Sequence, residues 1–205
     1  MSEVRRYETL EKTEKILRKL LRHAKLGLWD MRSELADSWD RSAKISLILQ
    51  NLKVGGYARL LQPKARSMAK MLTYLGLVES LGVTFMDMAL MLLIFNGKEM
   101  HTRGPYTKHV TSLAELQKID LAYKQEFLKS HELHLFTELV NRNLRNEIAH
   151  LKFRIQEDGT IESSEGSEVD IDNVIQRFWE TVQDFISIFD EIGFTDWLSQ
   201  RNRKE

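Results

Sequence analysis

The chain has 205 residues, with 30 Lys and Arg balanced by 30 Asp and Glu for a formal net charge of zero; that length suffices for one well-buried core and makes a single domain the default. It has no Cys, which excludes disulfides and thiolate metal sites and points to a reducing, cytoplasmic setting. The first residues lack the apolar core of a secretory signal, and two Pro among many helix formers predict an all-α helical bundle.

A first helix is predicted over Val4 to Leu28, with Leu10, Leu17, Leu20, Leu21, Ala24 and Leu28 on one face. A basic amphipathic helix can lie on a membrane, but Glu3, Glu8, Glu11 and Glu14 interleave with the bases, so core packing is expected and no membrane partner. A second helix follows from Ser33 to Val54, turning Leu35, Trp39, Ile45, Leu49 and Leu52 inward, and Gly55-Gly56 ends it. Trp29 and Trp39 are expected to pack against these helices. Pro63 opens a third helix carrying Met68, Met71, Leu72 and Leu75 toward the core until Gly82 interrupts it. Val83 to Phe95 is the most apolar stretch. It contains Asp87 and falls short of the ~20 residues a bilayer requires, so it reads as a central or dimer-facing helix of the bundle. Asn96-Gly97 stops it, and Lys98 to Val110 forms a loop. Should RNA bind, Arg103, Lys108 and His109 of that loop are secondary candidates for contacting phosphates or stacking a base.

Ser112 and Glu115 form a capping box, so a helix starts near Leu113 and runs, with a break near Asp120 or Ser130, to His150. Two apolar rows, Leu128, Leu135 and Leu139 beside Phe136, Val140, Leu144 and Ile148, predict packing on both sides. His131, His134 and Glu138 fall on one face at metal-ligand spacing, but no His-Glu-x-x-His sequence or further ligand accompanies them, and polar surface without a metal is expected. Lys152 to Gln156 and Thr160 to Ser163 flank Glu157-Asp158-Gly159 as a short β-hairpin, which must lean on the bundle because two strands alone are marginal. Asp170 or Asp172 caps a last helix that reaches Ile192 and buries Val174, Phe178, Val182, Phe185 and Phe189. Gly193 terminates it, and a turn with Trp197 folds back. Charge is uneven along the chain: residues 1 to 154 hold 26 Lys and Arg against 17 Asp and Glu, whereas Ile155 to Gln176 holds seven acids and no base. The basic body can attract a polyanion.

Chemistry concentrates in Asn141 to Phe153. There Arg145 is followed directly by Asn146 and, five positions on, by His150, so a permanent cation, an amide and a titratable imidazole lie within about a turn and a half of helix. Asn146 and His150 are about 40° apart around the axis, Arg145 and His150 about 140°. With Phe136, Val140, Leu144 and Ile148 buried, Asn146 and His150 point away from the core and Arg145 flanks it. On spacing alone, a solvated helix face accounts for the same pattern.

The run Leu144 to His150 resembles the signature of the HEPN family (higher eukaryotes and prokaryotes nucleotide-binding): an Arg followed directly by a polar residue, with four to six residues between that Arg and a His, here four. Its setting, from roughly Ser112 to Trp197, is a helix, a hairpin and a final helix. The resemblance implies a HEPN-like bundle and a metal-independent endoribonuclease without cofactors, its composite site formed where two copies meet in a homodimer. His150 would be general acid or base, Arg145 the cation facing the scissile phosphate, and Asn146 the residue orienting one of them; Arg142 is a further RNA-contact candidate. Family ribonucleases often pair with a nucleotidyltransferase antitoxin, which implies a toxin or defence effector. The competing expectation is a HEPN-like module that cuts nothing and serves protein interaction or nucleotide sensing, with Arg145 and His150 as interface contacts. A third is an unrelated helical protein.

Overall fold

The computed structural model describes residues 3–23, 29–54, 61–101, 109–194 and 196. Gly55-Gly56, Arg103, Lys108 and Trp197 lie outside them, as do the side chains of Trp29, Leu49 and Leu52. The chain is an all-α bundle with one small sheet: α1 Glu3–His23, α2 Trp29–Val54, α3 Pro63–Phe95, α4 Leu113–Gln117, α5 Leu121–Ser130, α6 Leu135–Leu139, α7 Arg142–Ala149, β1 Phe153–Ile155, β2 Ile161–Ser163 and α8 Ile171–Glu191.

Gly82 does not interrupt α3. The five residues Val78–Gly82 widen into a π-helical stretch, and the helix runs on for 33 residues. The glycine serves packing: a Cβ there would lie 2.9 Å from Val140 Cγ2 and 3.4 Å from Phe178 Cε2. The length argument against a bilayer therefore fails, because the joined helix is long and apolar enough to cross one. Its burial is the better guide, since 83% of the apolar window is enclosed by the bundle.

Around α3 the aromatic rings set the core. Phe85 stacks on Phe185 and Phe189 with centroids 5.4 and 5.7 Å apart, Trp39 meets its edge at 5.3 Å, and Phe136 packs on Phe185 at 4.2 Å. Rings that large and that enclosed typically cost about 3–5 kcal/mol to truncate, so this cluster fixes α2, α6 and α8 against α3. Two expected core residues miss it. Leu72 is 52% exposed because Met71, Tyr74 and Val78 take the inward stripe of α3. Ile45 is 46% exposed; on α2 the stripe is Leu35, Trp39 and Ser42, and Ile45 is rotated about 80° from Leu35.

The helix expected to reach His150 is cut three times. At the first cut the Asp120 carboxylate accepts the Tyr123 N–H at 2.8 Å and caps α5. The second follows Ser130, where Glu132 adopts a φ of 66°. The third, which the sequence did not predict, falls at Val140-Asn141, where the backbone extends and the Asn141 side chain accepts the Leu144 N–H at 3.1 Å. The turn after Ser130 also takes His131, His134 and Glu138 off any common helix face. Ser112 caps α4 as expected, its Oγ accepting the Glu115 N–H, and the Glu115 carboxylate reaches back to the Thr111 N–H, one residue before the cap.

The hairpin pairs Phe153 with Ser163 and Ile155 with Ile161 and leans on the start of α3. The Ser67 hydroxyl donates to the Gly159 carbonyl at 2.5 Å, and Lys64 pairs with Glu157 at 2.9 Å. Asp170 caps α8, and Gly193, with φ of 73°, ends it. Of the five residues expected to be buried on α8, Val174 is only half-buried.

Candidate functional site

Helix α7 has the orientation its spacing predicts. Leu144 and Ile148 are buried, Asn146 and His150 are exposed, and Arg145 is half-buried. Its N-terminus rests on the buried Tyr74, whose phenol burial pushes up to about 12 while a hydrogen bond with the Asn141 backbone pulls it partly back. At the other end, the Lys152 N–H donates to the Glu147 carbonyl at 2.8 Å and the Leu151 N–H to Ile148 at 3.1 Å. This closure demands a left-handed residue, usually Gly. Leu151 fills it at φ 53° and turns its side chain outward, 67% exposed.

The Arg145 guanidinium is already engaged. Nε and Nη2 reach Glu79 Oε1 at 2.6 and 2.5 Å, and Nη1 donates to Asn146 Oδ1 at 3.0 Å. Glu79 comes from the π-helical stretch of α3, and such widened turns recur at functional sites. Between α7, that stretch and the α4–α5 junction lies a cleft of about 560 Å³ lined by Glu79, Asp120, Lys124, Arg142, Arg145 and Asn146, among others. Arg142 and Asn143 also edge a second, more open recess beside α5 and α6.

The structure thus brings Arg142, Arg145 and Asn146 to one cleft and leaves His150 outside its lining, at the end of the next turn. His150 is exposed and has no side-chain partner among the described residues. His109 belongs to a different place, bridged to His101. No three metal-ligand side chains converge at the cleft among the described residues.

Two features escaped the sequence. One is Glu79 as the partner of Arg145, which no local pattern announces because 66 positions separate them. The other is a buried ion pair between Lys124 of the cleft wall and Asp87: Lys124 Nζ and Asp87 Oδ1 are 2.6 Å apart, with side chains 2% and 4% exposed. Burial pushes the Asp87 carboxyl above its ordinary value, and the Lys124 charge draws it partly back. Here a signal existed: a single acid in an apolar run must find a cation or stay neutral.

Chemically, the cleft offers a forked guanidinium, a second exposed Arg and an amide donor, a set suited to phosphoryl or carboxylate oxygens, with Glu79 as internal competitor. No family model, curated protein or solved structure matches the chain. Fold and cleft define an all-α bundle presenting an Arg-Asn face beside a solvent-exposed His.

Proposed function

We propose that the protein is a metal-independent endoribonuclease of the HEPN kind, acting as a homodimer whose composite site combines Arg145, Asn146 and His150 from two copies. The observation that carries this reading is the shared exposure of Asn146 and His150, with Arg145 beside them, on the face of α7 opposite buried Leu144 and Ile148. An imidazole in solvent can take a proton from a ribose 2′-OH or give one to the leaving oxygen. A guanidinium can stabilise charge growing on the phosphoryl oxygens without a metal. One chain supplies one motif imidazole, so separate acid and base require the second copy, and the dimer becomes part of the mechanism. Arg142 adds a phosphate contact at the cleft mouth; Arg103, Lys108 and His109 are secondary contacts. A toxin or defence role, with a nucleotidyltransferase-type antitoxin as partner, follows from the same resemblance; a cytoplasmic location rests on the absence of Cys.

A second reading is favoured by one observation: Glu79 occupies Arg145, as befits a HEPN-like interaction or nucleotide-sensing module that cuts nothing. The deciding experiment is cleavage of a mixed-sequence RNA in EDTA by the wild type and by His150→Ala, with analysis of product ends. The ribonuclease reading expects 2′,3′-cyclic phosphate ends that vanish in a folded, dimeric His150→Ala. Equal cleavage by both proteins, or cleavage by neither across several RNAs, overturns it.

A further inference from the structure

We propose that Glu99, His101 and His109 form a binding site for one divalent ion of the zinc class. The site is built by the backbone. After Gly97, with φ of 76°, ends α3, the chain runs extended, and the Val110 N–H donates to the Met100 carbonyl at 2.8 Å. His101 and His109 are antiparallel partners. Because that hydrogen bond joins the residue before one to the residue after the other, they form a non-hydrogen-bonded pair, the kind whose side chains approach most closely. Their ring centroids are 4.4 Å apart. Strand alternation puts Glu99, two residues before His101, on the same side. Met100 and Val110 are buried at 1% and 3% exposure, which anchors the opposite side of the pleat and holds the three polar side chains outward.

One ligand atom from each of the three lies within 4.8 Å of the others. Zinc held at 2.0–2.1 Å needs its tetrahedral ligand atoms about 3.3 Å apart, a gap that side-chain rotation closes without moving the anchored backbone. Two imidazoles and a carboxylate match the nitrogen and oxygen preference of zinc. The seven residues from Thr102 to Lys108 contain no His, Cys, Asp or Glu, so the fourth position is left to water or to an incoming anion. The ion would pin the two ends of that loop, which carries Arg103 and Lys108, and would replace the negative charge of Glu99 with a net positive site. This inference does not rest on the ribonuclease reading, since it concerns residues outside the α7 cleft.

The test is titration of the full-length protein with Zn²⁺ in chelator-free buffer by calorimetry, with Co²⁺ absorption as a report on coordination. One equivalent should bind. His101→Ala and His109→Ala should each weaken it at least about tenfold, because even an outer partner of a ligand is worth that much. A His131→Ala/His134→Ala double variant should leave it unchanged. Wild-type imidazole resonances read the same site without substitution: those of His101 and His109 should move at one equivalent, and those of His23, His131, His134 and His150 should stay. Absence of zinc binding by the wild type, retention of full affinity without both loop histidines, or movement of the other imidazoles instead would overturn the site.

Discussion

Lys124→Met tests whether the buried pair at the cleft wall is as enclosed as its 2% and 4% exposures indicate. At 2.6 Å and an effective dielectric of about 20, the attraction is roughly 6 kcal/mol. Desolvating the two ions costs several kcal/mol each, so the net worth of the intact pair is near zero. Removing the lysine alone deletes the attraction and leaves the Asp87 desolvation unanswered, for an expected loss of about 3–5 kcal/mol. A domain of this kind has roughly 5–15 kcal/mol in total, so the variant should fold with a visibly lowered urea midpoint by circular dichroism. Asp87→Leu with Lys124→Met should recover most of the loss, giving a coupling energy far from zero. The pH dependence follows from the raised Asp87 carboxyl. Above the unfolded value of about 3.9 the folded state holds more protons than the unfolded one, so this group's contribution falls as pH rises. Without Lys124 the carboxyl moves further up and the window widens. The deficit of Lys124→Met relative to the wild type should therefore be larger at pH 7 than at pH 4. A loss below about 1 kcal/mol, or a double variant as unstable as the two single variants summed, would refute the reasoning.

Other substitutions separate packing from chemistry. Gly82→Ala gains about 1 kcal/mol of helix propensity but drives a methyl to 2.9 Å from Val140 Cγ2; a net loss of about 1–2 kcal/mol is expected, relieved when Val140→Ala is added, as measured by thermal unfolding. Leu144→Ala should cost about 2–5 kcal/mol, whereas exposed His150→Ala should change urea stability by roughly half a kcal/mol or less. If His150→Ala unfolds the protein, the histidine is structural. Leu151→Gly should stabilise the fold by about 0.5–1 kcal/mol, by removing a side chain from a left-handed position; loss of dimer in sedimentation despite that gain would mark Leu151 as an interface contact.

The bundle was readable from the sequence wherever one local rule acted alone. Capping at Ser112 and Asp170, the stop at Asn96-Gly97 and the hairpin around Glu157-Asp158-Gly159 all appear where turn chemistry puts them. Failures came where a distant contact overrode the local signal. Gly82 looks like a break because its reason for being small is Val140, 58 positions away. Asn141 looks like a mid-helix residue because Asn caps a helix as readily as it sits on a polar face. For the same reason the outward direction of Asn146 and His150 was legible from the period of 3.6, while the engagement of Arg145 by Glu79 was not.

That engagement bears directly on which function the cleft can support. Within the cleft Arg142 and Arg145 are balanced by Glu79 and Asp120, and the third cation, Lys124, is already paired with buried Asp87, so the site in one chain has no large surplus of positive charge with which to draw RNA. The Arg145–Glu79 pair, however, is 29% and 44% exposed, and ion pairs in such solvated positions are worth only about 0–1 kcal/mol. A phosphate that accepts both arms of the guanidinium fork can therefore displace Glu79 cheaply, and two α7 helices meeting in a dimer would double the local cation count. The pairing then acts as a modest brake on binding. Glu79→Gln should accordingly tighten RNA binding several-fold in filter assays at low salt and leave thermal stability nearly unchanged. If RNA affinity is indifferent to Glu79→Gln while dimerisation weakens, Arg145 serves the interface between copies, and the interaction module becomes the better account of the cleft.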